Sequence, residues 1–447
     1  MVSLNAETID NLGLTRRQAL EVVGAIAAGV SLGSLGFLRP RAAAAQGTVT
    51  LTFFGQTGGT NTGREIAHRA IFKNFMDQHK DVQINAQFFP WEQLQQKLAI
   101  SVASSTPVDI IYVDGPLIPQ YVFSGVLRPM EDAYSEEELS DIVATSREEA
   151  TVDGHFYGPA ESESAIGFFY NKQMTDKQGI KPPTQLQDAW TWPKALEAMR
   201  ALTVASDGRT QVYGLERVQP PGFYTDGTFI RSQGANRDDP TFKALSADGL
   251  TAHGYLDTDE AIAGFQFFQD LFVKEKVAPR VPVQEMLATG RAAFSVGTEN
   301  EITDFERNYP ELEWGITPLP YFRTPMSHTG SLHYSVAAKS AHPDEAVQLA
   351  KFMGNSESSL IMFKALGQLP ALHSVLDQVD AYKTYPRKIF LDTLEQWGVI
   401  RPKTPGYNEY ETGIDTALAD MTAGVPDVAG RVKQMAQAID RQLAKYK

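Results

Sequence analysis

Between Thr48 and Val113 the spacing of apolar residues switches repeatedly, and this alternation constrains the fold more than any other feature of the 447-residue chain. Thr48 to Phe54, "TVTLTFF", reads as a strand, and residues 64–79 follow with Ile66, Ala70, Ile71 and Phe75 at helical spacing. Val82, Ile84, Ala86 and Phe88 then alternate strictly, as in a strand with one buried face. Leu94, Leu98 and Val102 lie on one helical stripe, and "VDIIYV" (108–113) is a β-branched run suited to a buried parallel strand. A β-α-β-α-β order implies a parallel sheet wound with helices. In such sheets ligands bind beyond the carboxyl ends of the strands, which here lead to residues 55–62 and to Asp114.

The pattern restarts beyond residue 172. Helical spacing over 186–203 leads to a strand near 212–215, and Asp257 with Glu260 predicts a capping box for a helix bearing Ile262, Phe265, Phe268 and Phe272. Strands are expected at 292–296, in "LEWGITPLP" and at 335–338, and helices at 343–353, 356–366, 386–396, 409–422 and 428–446. A chain this long exceeds one ordinary core, so two or three domains are expected. With no repeats and no linker of biased composition, the boundaries must be tight crossovers.

Composition removes several function classes. There are no cysteines, which excludes disulfides, a cysteine nucleophile, thiolate metal sites and a lipidated cysteine anchor. Paired Arg16 and Arg17, an uncharged run over 22–38 and the small residues Ala42 to Ala45 predict a twin-arginine export signal over residues 1–45, cleaved near Gln46. That segment holds four arginines against Glu7, Asp10 and Glu21, so of the chain's net −14 the remainder carries −15. Such acidity disfavours nucleic-acid and anionic-membrane partners. No H-E-x-x-H, calcium loop, P-loop or G-x-G-x-x-G motif occurs, and no G-x-S-x-G occurs beyond the expected export signal, so neither metal nor cofactor is expected.

An ordered set of segments carries a family resemblance: "FMDQHKDVQINAQFFPWEQLQQKLAISVASSTPVDIIYVDG", "DGHFYGPAESESAIGFFYNKQM", "GIKPPTQLQDAWTWPKALEAMRALT", "GRAAFSVGTEN", "WGITPLP", "AAKSAHPDEAVQLAKFM" and "GQLPAL". Together they resemble the extracellular solute-binding proteins of carbohydrate ABC importers, of the maltose-binding-protein-like type. The resemblance implies a two-lobed α/β periplasmic-binding-protein fold of type II, a ligand trapped between the lobes, and no catalysis. It also implies a monomer that delivers its sugar to ABC transporter permease subunits from the periplasm. By it, residues 46–158 plus 299–355 form the N-terminal lobe and residues 159–298 plus 356–447 the C-terminal lobe. Crossovers are expected in 156–172, in 294–300 and near 354–357. Two family features are missing: Thr298, Glu299 and Asn300 stand where a stacking tryptophan is common, and "SHTGSLH" (327–333) replaces a Gly-Gly pair.

A sugar site needs carboxylates, amides and hydroxyls for the hydroxyl edges, with flat aromatic side chains for the ring faces. Gln56, Thr57 and Gly58, in a glycine-rich loop after the first strand, are candidates for close backbone approach to a ligand. Asp114 reads either as a ligand acceptor or as an N-cap for the following helix. Glu161, Ser162 and Glu163 lie in "FYGPAESESAIGFFYNK", where the two glutamates, two apart, would share one side of an extended segment. Carboxylates on one side of a substrate do not make a glycosidase pair, so lining a cleft is favoured over catalysis and over a solvated loop. Phe223 and Tyr224 read equally as stacking platforms and as core. Thr298, Glu299 and Tyr407 complete the set, with Trp397 a weaker candidate and Trp192 assigned to packing. Rival readings are a phosphorylated polyol such as glycerol 3-phosphate held beside Arg64, and an exported glycan-acting enzyme.

Overall fold

A computed structural model describes residues 48–57, 62–104, 108–217 and 219–447. The expected export signal and Gly58 lie outside them. The chain divides into two compact units: residues up to 113 with 125–162 and 332–376, and residues 114–124 with 163–331 and 377–447.

The first unit is built on the parallel winding expected from the sequence. Strand Val49–Gln56 lies between Val82–Phe89 and Ile110–Asp114, parallel to both, and Leu332–Val336 completes the four-stranded sheet at its edge. Helices Thr62–Gln78 and Trp91–Ala103 make the two crossovers. Alternate residues Leu51 and Phe53 are fully buried, as a strand between two neighbours requires. Residues 157–161 run beside the late edge strand: Tyr334 donates its N–H to the Pro159 carbonyl at 2.9 Å, and Glu161 donates to that of Leu332 at 2.8 Å. Gly158 makes this approach possible. Its φ is +142°, and a Cβ there would sit 2.3 Å from the Tyr334 carbonyl oxygen.

The second unit carries a mixed five-stranded sheet in the order Trp314–Pro318, Gly167–Asn171, Ala292–Gly297, Arg209–Leu215, Val204–Ser206. Its outer helices are largely those expected: Trp192–Leu202, Asp259–Val273, Lys388–Trp397, Tyr407–Ala423 and Val428–Leu443. Trp192 is fully buried and stacks on Phe229 at 4.0 Å. One capping assignment changes: the N-cap of Asp259–Val273 is Thr258, whose side chain accepts from the Ala261 N–H, while Asp257 bonds His253 and the Gly254 N–H.

The unit boundaries differ from the expected lobes. One falls between Ser162 and Glu163, inside the first expected crossover. Residues 294–300 lie wholly in the second unit, because Trp314–Pro318 pairs antiparallel with Gly167–Asn171 and holds the 299–331 stretch there. Residues 354–357 lie wholly in the first unit, where the following helix, Ser356–Leu366, packs on Thr62–Gln78. Among the described residues no helix is long and apolar enough to cross a membrane.

Gly158→Ala should therefore strain the backbone and force 157–161 off the edge strand. Chemical denaturation should show a loss of about 2 kcal/mol or more.

Candidate functional site

In the first unit, four side chains converge on Glu161, which is 2% exposed. Arg64 comes from the first turn of Thr62–Gln78, and its Nε lies 3.0 Å from Glu161 Oε1, an ion pair outside hydrogen-bond alignment. The Tyr112 and Tyr334 hydroxyls donate to Oε2 at 2.5 and 3.0 Å, and His68 Nε2 lies 3.3 Å from the same oxygen. Burial, reinforced by Arg64, holds the His68 pKa well below the ordinary imidazole value, so the ring is neutral. Burial and then Glu161 push the Tyr334 phenol far up, so it keeps its proton and stays a donor. Burial draws the Arg64 pKa down, but Glu161 and the two phenols more than offset this, and the guanidinium stays charged.

Arg64 spends its other nitrogens on two amides. Nη1 donates to Gln56 Oε1 at 2.7 Å and Nη2 to Gln368 Oε1 at 2.8 Å; Ser162 Oγ also donates to Gln368 Oε1, at 3.1 Å. Thr57 Oγ1 donates to Glu65 at 2.5 Å. The structure thus brings together Gln56, Glu161 and Ser162 of the sequence candidates and joins them through Arg64 and Gln368. Gln368 follows Gly367, the left-handed cap of Ser356–Leu366, and nothing local marked it beyond its place in "GQLPAL".

In the second unit a different arginine organises the polar groups. Arg401 grips Asp114 with Nη2 to Oδ1 at 2.7 Å and Nη1 to Oδ2 at 3.1 Å, a bidentate pair. Its guanidinium also lies over the rings of Tyr224 and Tyr407, at 5.2 and 5.9 Å. Asp114 does precede a turn of helix, but its side chain makes no cap hydrogen bond. The Tyr224 hydroxyl meets Ser164 Oγ at 2.7 Å, and Glu163 accepts from Ser331 Oγ at 2.7 Å. Tyr224 is half-buried, whereas Phe223 and Tyr407 are fully buried. Phe223 and Tyr224 open a helix, Phe223–Arg231, in place of the rigid loop expected. The Phe223 ring packs on His328 and Tyr410, and Tyr407 bonds Glu411 at 2.9 Å, so neither presents an open face for stacking.

The two glutamates of the quoted stretch fall on either side of the unit boundary and do not lie in one extended strand. Each is nearly sealed from solvent, and each carboxylate is committed inside its own unit. The chain there forms only isolated bridges and bends, so a period of two does not apply. A solvated loop is excluded by the burial.

Thr298 and Glu299 turn inward as well. Glu301 accepts from the Thr298 N–H at 2.8 Å, and Glu299 Oε1 accepts from the Ala165 N–H at 3.0 Å, while its Oε2 is buried with no hydrogen-bond partner among the described residues. Burial, with Glu301 and Glu163 adding like charge, pushes the Glu299 carboxyl up to about 8. Glu301 rises to about 7 for the same leading reason. Among the described residues no group of three or more His, Asp or Glu is placed to hold a metal ion.

The sequence profile of the bacterial extracellular solute-binding proteins matches residues 70–388. The chain belongs to this family. Members bind solutes and are not enzymes, and this solute-binding protein has similar relatives across most of its length. The galactooligosaccharide-binding protein of Bacillus subtilis is 21% identical over 82% of this chain and 84% of its own. The maltotriose-binding protein of Pyrococcus abyssi is 21% identical over 79% and 74%. Among solved structures, an ABC substrate-binding protein from Listeria monocytogenes in complex with cycloalternan superposes with a TM-score of 0.74 at 20% identity, covering 89% of this chain and 99% of its own. The maltose/maltodextrin-binding domain from Bdellovibrio bacteriovorus bound to maltotriose gives 0.72 at 19%, covering 89% and 100%. The two-lobed α/β fold of this class is thereby established for the solute-binding protein.

Two tests follow. Glu161→Ala should strand the buried Arg64 charge and cost about 3–5 kcal/mol of stability, read as a lower denaturation midpoint without sugar. For Glu299 the folded group keeps its proton to about pH 8, whereas an ordinary carboxyl titrates near 4.5. Its ionisation is therefore unfavourable to the folded state, and stability falls as pH rises between those values. Glu299→Gln should flatten that decline, so its melting-temperature advantage over wild type should be larger at pH 8 than at pH 5.

Proposed function

We propose that this protein is the extracytoplasmic component of an ABC importer that captures a neutral sugar or oligosaccharide by hinge closure and delivers it to the membrane permease subunits. It acts as a monomer in the periplasm, reached by the twin-arginine route and without a lipid anchor. One observation carries the choice of a neutral guest. The arginines beside the candidate groups are already neutralised, Arg64 by Glu161 and Arg401 by Asp114. What remains for a ligand is amides and hydroxyls, groups that match sugar hydroxyls. The relatives whose names specify galactooligosaccharide and maltotriose support the same class. The polyol phosphate reading required Arg64 as its cation, and Arg64 is spent on Glu161, Gln56 and Gln368.

A thermal-shift panel of maltotriose, mannotriose, a galactooligosaccharide and glycerol 3-phosphate tests this. A sugar at about a hundred times its Kd should stabilise the fold by roughly 2.7 kcal/mol and be recovered intact, with a more compact scattering profile. Stabilisation by glycerol 3-phosphate alone, or release of reducing sugar, would overturn it.

A further inference from the structure

Arg64 has a consequence for recognition that reaches beyond charge. A guanidinium carries only N–H donors, so any amide set against it must turn its oxygen inward. Gln56 and Gln368 both do so, at 2.7 and 2.8 Å. Their NH2 groups are consequently directed away from the arginine, and among the described residues neither amide nitrogen has a hydrogen-bond partner or is sealed from solvent. Rotating either amide would bring NH2 against N–H, so the polarity is fixed. Arg64 cannot swing away, because it is 4% exposed and paired with Glu161 at 3.0 Å. The backbones are also held: Gln56 ends a strand in parallel register with Phe89, and Gln368 follows a glycine cap.

Resting on the sugar-binding reading above, we infer that Arg64 is a positioning residue that locks Gln56 and Gln368 as paired donors, so that this unit reads acceptor oxygens of the sugar. A hydroxyl, ring or glycosidic oxygen satisfies such a donor. A sugar hydroxyl placed there must accept, and must send its own proton to an acceptor elsewhere. Neither an apolar edge nor a ligand N–H satisfies the pair, so ligands presenting them are rejected.

The test uses the full chain and isothermal titration with maltotriose, mannotriose and a galactooligosaccharide. Gln56→Glu and Gln368→Glu keep an oxygen for Arg64 but replace the outward NH2 with an acceptor. Each should weaken the sugar that wild type binds by about tenfold or more, with the sugar-free melting temperature unchanged or raised. Arg64→Lys preserves a cation for Glu161 but cannot hold both amides, so affinity should fall even where the variant melts near wild type. If wild type binds none of the sugars, the sugar reading fails and the inference with it. If it binds one and both glutamate variants bind as tightly, the inference alone is overturned. An Arg64→Lys protein that is less stable yet binds with wild-type affinity overturns the positioning role.

Discussion

The first unit depends on a buried ion pair whose remaining polar groups are largely served by neighbours. Removing a guanidinium and a carboxylate from water costs several kcal/mol per ion, and attraction between them offsets that only when their remaining hydrogen-bonding capacity is met. Arg64 and Glu161 approach the condition by recruitment: two amide oxygens serve the arginine, and two phenols serve the glutamate, while Nε and Oε1 face each other as the ion pair. The recruited groups come from the first strand, the third strand, the late edge strand and the segment after Ser356–Leu366. The pair therefore fixes pieces of chain hundreds of residues apart, and the polarity of the amides is a by-product of that electrostatic requirement.

The second unit solves the same problem with other materials. Arg401 meets Asp114 in a fork and spreads its remaining face over two tyrosine rings, which suits a delocalised cation better than an ammonium. Two carboxyls beside the second unit's sheet, however, have no ion-pair partner among the described residues. Glu299 and Glu301 are raised by burial and sit near neutrality where ordinary carboxyls are ionised.

Much of the secondary structure was legible, because period-2 and period-3.6 patterns report burial directly. The winding of the first sheet could be read from residues 48–113 alone. Its edge strand could not: Leu332–Val336 pairs with a strand more than two hundred residues earlier, and no local pattern encodes that partner. The candidate residues divide in the same way. Gln56, Glu161, Ser162, Asp114 and Tyr224 could be proposed from residue type and strand-end position alone. Arg401 and Gln368 could not, since each gains its place in these polar clusters only through a distant contact. Phe223 and Tyr407 show the converse, as proline and glycine nearby suggested an exposed aromatic where the fold buries one.

The late edge strand also bears on how the chain is made. A ribosome has delivered three parallel strands by Asp114, yet their sheet stays one strand short until Val336 has emerged. Translation must run through all five strands of the second sheet before the first can close. Neither half can then mature as an independent nascent domain, and the growing polypeptide carries an open sheet edge for about half of its synthesis. Until that late strand arrives, the unpaired edge is a place where another chain can add in its stead.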